Sequence, residues 1–110
     1  MEVTVYVDDM YLYPMGEYKR GNRTYKMSHC VADSREELEA MMRKVGVAVK
    51  WIQYPGTWKE HFDIAMSMRS AAIAAGAIPV TMKQLVRMSV IRRETGKLGK
   101  PEETSEQNEV

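Results

Sequence analysis

The chain of 110 residues contains one cysteine, Cys30. A lone thiol forms no internal disulfide, so a reducing compartment is the simple inference. No apolar run approaches about 18 residues, and no charged-then-apolar leader opens the chain. Both absences argue against membrane spanning and secretion and point to a cytoplasmic protein. Net charge is nearly lacking, at +1, which counts against general nucleic-acid binding. There is no glycine-rich phosphate loop, no GxSxG elbow and no CxxC pair, so the common nucleotide hydrolases and nucleophile enzymes are disfavoured.

What is present is a normal globular balance, 45% apolar and 28% charged. The charge is uneven: the body to residue 94 holds 14 basic and 11 acidic residues, whereas residues 95–110 hold two lysines and four glutamates. Ten methionines suit an irregular core. Cys30 lies in the mostly apolar Ser28–Ala32 stretch and reads as a buried, inert thiol.

Val3–Val7 is β-branched and aromatic and stops at Asp8-Asp9, a first strand. Residues 10–26 form a long tyrosine-rich loop or hairpin insertion, with Pro14, Gly16, Gly21 and Asn22. A second extended segment runs from about Thr24 to Ala32. Ser34 followed by Glu37 is a capping box, and Leu38, Met41, Met42 and Val45 give the helix a buried stripe that Gly46 ends. Ala48–Tyr54 reads as a third strand closed by Pro55-Gly56. A second helix spans about 64–75, Ala77–Val80 is a short strand, and Thr81 with Gln84 caps a third helix to about Arg93. Residues 95–110 lack the apolar side chains that offset ordering entropy and read as a disordered polar tail. The expected architecture is one α/β domain over 1–94: a two- or three-layer sandwich with an approximately four-stranded, largely parallel sheet and three helices.

Parallel strands would bring Asp8, Asp9, Asp33 and Asp63 to one edge, where ligands bind open sheets. Asp63 has the competing role of capping the second helix. His61 and Asp63, two apart, face the same side of an extended segment; His29 and Asp33, four apart, share that parity. Carboxylates beside imidazoles suit either acid–base pairs or a divalent metal. The metal candidates are Asp8, Asp33 and His61, and the acid–base candidates are His61 and Asp63. Arg69, in the second helix, could hold a phosphate, and Trp51, Trp58 or a loop tyrosine could stack on a base.

An ordered set of short motifs supports these positions: Val5–Asp9, Met27-Ser28-His29 with Ala32-Asp33, Glu36-Glu37-Leu38, Trp51-Ile52-Gln53, His61-Phe62-Asp63, Arg69, Gly76-Ala77 and Gln84-Leu85-Val86. Together, over about residues 3–93, they resemble the domain-of-unknown-function family numbered four thousand and thirty-one, found in bacteria and phages. The 10–26 insertion and the tail depart from its pattern. Some relatives look like fusions to metal-dependent phosphohydrolase domains, which implies a phosphorylated or nucleotide-derived ligand. The resulting expectation is a binding module for an anionic, nucleotide-derived molecule, contacted by Asp8, His29, Asp33, Trp51, His61, Asp63 and Arg69. In a phage setting it would sequester a host signalling nucleotide. The alternatives are a metal-dependent phosphoesterase and a protein-interaction module, with a homo-oligomer possible and no cofactor required beyond the metal that the second reading needs.

Overall fold

The structure, a computed structural model, describes residues 4–104. Its strands are β1 (Val5–Val7), β2 (Glu17–Arg20), β3 (Arg23–Ala32), β4 (Phe62–Ala65) and β5 (Ile78–Pro79). Its helices are α1 (Arg35–Val45), α2 (Met66–Ala74) and α3 (Met82–Thr95). β3 is the hub. It pairs antiparallel with β1, with β2 and with β4, and only β5 lies parallel to its neighbour, β1. Cys30 faces both Val7 and Phe62 in register, so β1 and β4 flank opposite edges of β3.

The expected four-stranded, largely parallel sheet is therefore a five-stranded, mostly antiparallel one. Two connections explain the difference. The 10–26 insertion is a true hairpin: Gly21, at a positive φ of 62°, turns β2 back onto β3. The chain after α1 spends residues 46–61 crossing the molecule before β4, and so re-enters β3's edge in the opposite sense. Part of that crossing is the segment expected to be a strand. Val49–Trp51 instead forms a single 3-10 turn, and only Gln53 makes a ladder contact, with His61.

Helices cover both faces. Val5, Val7, Cys30, Ala32, Phe62 and Ile64 project towards α1 and α2, meeting Leu38, Met41, Met42 and Ala72. Tyr6 and Val31 project the other way, onto Leu85 and Met88 of α3. Alternation along each strand forces this division. Local signals hold at the helix ends: Ser34 accepts from the Glu37 amide, Gly46 sits in the left-handed region at φ 90°, and Thr81 and Gln84 cap reciprocally. The Glu37 side chain does not close the box onto its own N-cap amide; it takes the hydroxyls of Ser34 and Thr4. Asp63 caps nothing, because β4 continues to Ala65 and α2 begins without a side-chain cap. No described helix is long and apolar enough to cross a membrane.

The polar stretch after Thr95 is partly built into the body. Leu98 is 6% exposed and packs with Tyr6, Val31, Val80, Leu85 and Met88. Lys100 reaches the Asp33 carboxylate and the Tyr6 hydroxyl. One apolar side chain suffices to dock it; residues 105–110 lie outside the described residues. Leu98→Ala should therefore destabilise the domain by about 2 kcal/mol, measurable as a lower urea midpoint at unchanged m-value. A shift no larger than that of a surface substitution would mean the segment does not pack.

Candidate functional site

On the α3 face, one end of the sheet is covered by Leu85 and Met88, and the other carries polar side chains. Residues 6 and 8 of the β1 segment, 29 and 31 of β3, and 61 and 63 of the β4 segment share this face. Register does the gathering: His29 lies opposite Asp63 across the β3–β4 ladder, and the Asp8 amide donates to the His29 carbonyl. Antiparallel pairing thus assembles Asp8, His29, His61 and Asp63 in mid-sheet rather than at a shared rim of strand ends.

Asp8 is wholly buried. Its Oδ1 accepts the amides of Met10 (3.1 Å) and His29 (2.8 Å), and its Oδ2 lies 2.7 Å from His29 Nδ1. A carboxylate with these neighbours accepts, so His29 donates through Nδ1, and in the neutral ring Nε2 is then left bare. His61 repeats the arrangement with a different acceptor: its Nδ1 lies 2.6 Å from the Lys59 carbonyl. Asp63 is steered by Gln53, whose Nε2 donates to Oδ2 at 2.6 Å. The remaining atoms are His29 Nε2, His61 Nε2 and Asp63 Oδ1, and one ligand atom from each of these three residues lies within 4.8 Å of the others. Asp63 Oδ1 is shielded from solvent yet has no hydrogen-bond partner. It stands 3.4 Å from His61 Nε2 and 3.8 Å from His29 Nε2, too far for well-formed hydrogen bonds.

Two of these separations are close to those of ligands around an ion. Tetrahedral coordination at zinc-like bond lengths separates donor atoms by about 3.3 Å, near the distances of Asp63 Oδ1 from both imidazoles, and the widest pair of the group, which spans up to 4.8 Å, draws in further to enclose an ion. Each imidazole already has its second nitrogen fixed by a carboxylate or carbonyl, as metal-bound histidines do. Two imidazoles and one carboxylate suit a borderline ion such as Zn²⁺ or Fe²⁺ over Mg²⁺ or Ca²⁺, and three protein ligands leave positions open. Electrostatics agree. Burial alone would lower the His61 pKa, but attraction to Asp63 and the Lys59 carbonyl outweighs it and raises the value. Burial alone would raise the Asp63 pKa, and His61, Gln53 and His29 outweigh it and lower the value. The pocket therefore draws cations to Asp63.

The cluster adjoins two cavities. One, about 250 Å³, is lined by His29, His61, Trp58, Lys59, Leu85 and Val86. The other, about 510 Å³, includes Asp63, Gln53, Trp51, Met10, Met27 and Arg20. Its walls come largely from the hairpin insertion, so a segment that reads as a departure from the family pattern shapes the opening beside the cluster.

The remaining sequence candidates lie apart or act indirectly. Asp8 is a buried support for His29, not a free ligand atom. Asp33 is separated from the cluster: it sits beyond the far end of β3, bound to Lys100. Trp51 is 65% exposed on the larger cavity. Arg69 donates to the Asp8 carbonyl at 2.9 Å and stacks over Tyr11, so its guanidinium supports the β1 end. Gln53, Tyr54 and the Lys59 carbonyl are not readable from the sequence as site groups. Tyr54 stacks on His61 at 6.1 Å, and the Gln53–His61 bridge brings that segment near. Cys30 is inert as expected, fully buried, with desolvation pushing its thiol up to about 12.

Comparison with curated proteins and with solved structures found no match. The model of a protein family of unknown function matches residues 5–92, a span that contains every side chain of the cluster and its three supports, Asp8, Gln53 and the Lys59 carbonyl. The chain belongs to that family, DUF4031.

Proposed function

We propose that this domain binds a divalent transition-metal ion through His29 Nε2, His61 Nε2 and Asp63 Oδ1, and uses it to hold an anionic, nucleotide-derived small molecule. The observation that supports the reading most is the pair of imidazoles whose Nδ1 atoms are both occupied while both Nε2 atoms converge on an unpartnered carboxylate oxygen. An anion approaching Asp8 and Asp63 without a cation would be repelled. A bound ion reverses that sign and offers open positions to phosphate oxygens. Arg20 and Lys59 line the adjoining cavities and favour the same charge, while Trp51 and Trp58 offer ring faces to a base.

Protein purified without chelator should carry close to one metal ion per chain by elemental analysis. Calorimetry of the metal-loaded protein against nucleotides and ADP-ribose-like compounds should then show binding that chelation abolishes. Failure to bind any of them more tightly than about 100 μM, about −5.5 kcal/mol, would remove the nucleotide ligand. Failure to take up metal would remove the whole reading.

The coordination number favours a second reading, metal-dependent phosphoester hydrolysis. Three protein ligands leave room for a water, and a metal can lower such a water's pKa to near 7. Turnover of a phosphorylated compound with Mn²⁺ or Zn²⁺ separates a hydrolase from a binder.

A further inference from the structure

We infer that Arg92 of α3 is a positioning residue for His61, acting by clamping the backbone on both sides of the carbonyl that orients the imidazole. Arg92 touches neither the converging ligand atoms nor the two cavities beside them. Its Nε and Nη2 donate to the Trp58 carbonyl at 3.1 and 2.8 Å, and Nη2 also donates to the Glu60 carbonyl at 3.1 Å. Between those two residues is Lys59, whose carbonyl accepts from His61 Nδ1 at 2.6 Å. One planar fork thus fixes carbonyls 58 and 60 while the carbonyl between them turns to the ring.

The clamp is needed because this backbone has little regular structure of its own. Residues 54–60 form a turn-rich loop closed by the single Gln53–His61 bridge, and Gly56 within it has a positive φ of 79°. A separate contact holds the loop by a side chain: Arg35 of α1 pairs with Glu60 at 2.7 and 2.8 Å, and Glu60 also accepts the Gly56 amide. Arg35 therefore anchors the loop without bracketing residue 59. Arg92 differs in directing its hydrogen bonds to backbone carbonyls. Burial draws its guanidinium below the ordinary value, with the Glu60 charge opposing. A lysine could reach one carbonyl as a point donor but could not span two with a rigid fork.

The consequence is a tautomer. With the Lys59 carbonyl held, His61 carries its proton on Nδ1 and offers a bare Nε2. With it loosened, the proton moves in part to Nε2, where Asp63 attracts it, and the metal-binding lone pair is lost. Ring-nitrogen NMR of the metal-free protein, at a pH above the imidazole range, reads this directly. The Nδ1–H form should dominate in the wild type, and Arg92→Met should populate the Nε2–H form. Arg92→Lys, which keeps the charge and most of the volume, should give a smaller shift in the same direction and serves if the methionine variant does not fold. Arg35→Met should lower stability without moving the tautomer. The inference extends the metal-centre reading through a second measurement: Co²⁺ affinity should fall about tenfold in Arg92→Met, the scale of outer-shell substitutions.

An unchanged His61 tautomer in a folded Arg92 variant would overturn the inference, as would an equal tautomer shift in Arg35→Met, which would mean general loosening. If the wild type takes up no metal, the proposed function falls, and the tautomer measurement still decides the role of Arg92.

Discussion

His61→Ala should abolish tight metal binding, reducing affinity by at least about 100-fold, because a direct ligand matters more than the outer-shell groups whose loss costs about 10–100-fold. The substitution removes one of three donor atoms and leaves His29 Nε2 and Asp63 Oδ1, a pair that cannot enclose an ion. Its effect on folding should be smaller. His61 packs against Tyr54 and accepts no buried donor, and its backbone bridge to Gln53 survives in alanine. Competition with a chromogenic chelator measures the first quantity and urea unfolding the second. An undiminished affinity for Zn²⁺ or Co²⁺ in a folded His61→Ala protein would show that the ion sits elsewhere.

Asp8→Ala should be the most destabilising single change at the site, by about 3–5 kcal/mol. Domains of this size are stable by about 5–15 kcal/mol, so the loss is a large share. The carboxylate is fully buried and satisfies three donors: the amides of Met10 and His29 and the His29 Nδ1–H. Alanine leaves all three without their acceptor, and unsatisfied buried donors cost about 1–3 kcal/mol each before relaxation. The corresponding fall in melting temperature is of order 10 °C or more.

Asp8→Asn separates stability from metal binding. The amide keeps the shape, and its oxygen can still accept the two backbone amides. Its NH₂ then faces His29 Nδ1 and must donate to it, which moves the imidazole proton to Nε2 and blocks the ligand position. The Asp8→Asn protein should therefore unfold closer to the wild type than the alanine variant does, yet bind metal as poorly. If Asp8→Asn retains full metal affinity, Asp8 does not set the His29 tautomer and the proposed support fails.

These predictions concern residues that differ greatly in how visible they are in the sequence. His61 and Asp63 are legible as a pair because a two-residue spacing in an extended segment places both on one side. Asp8 and His29 are legible as chemistry, but not as partners, since 21 residues and a hairpin separate them. Asp33 shares parity with His29 and has the right chemistry, yet antiparallel pairing carries it beyond the end of β3 to Lys100. Gln53 appears only as the last residue of the Trp51-Ile52-Gln53 motif, with no role attached, and the Lys59 carbonyl carries no signal: an amide and a peptide oxygen become functional only by placement.

From the sequence alone came what short-range forces determine. The caps at Ser34 and Thr81, the stop at Gly46 and the amphipathic stripe of α1 all depend on neighbours a few positions away, so the residues themselves specify them. Strand direction, the packing of Leu98, and the meeting of His29, His61 and Asp63 depend on which segments lie side by side. That choice belongs to the tertiary structure, because the free energy of burying both sheet faces at once is a property of the whole chain, and hydrogen-bond ladders of either sense satisfy the backbone equally well.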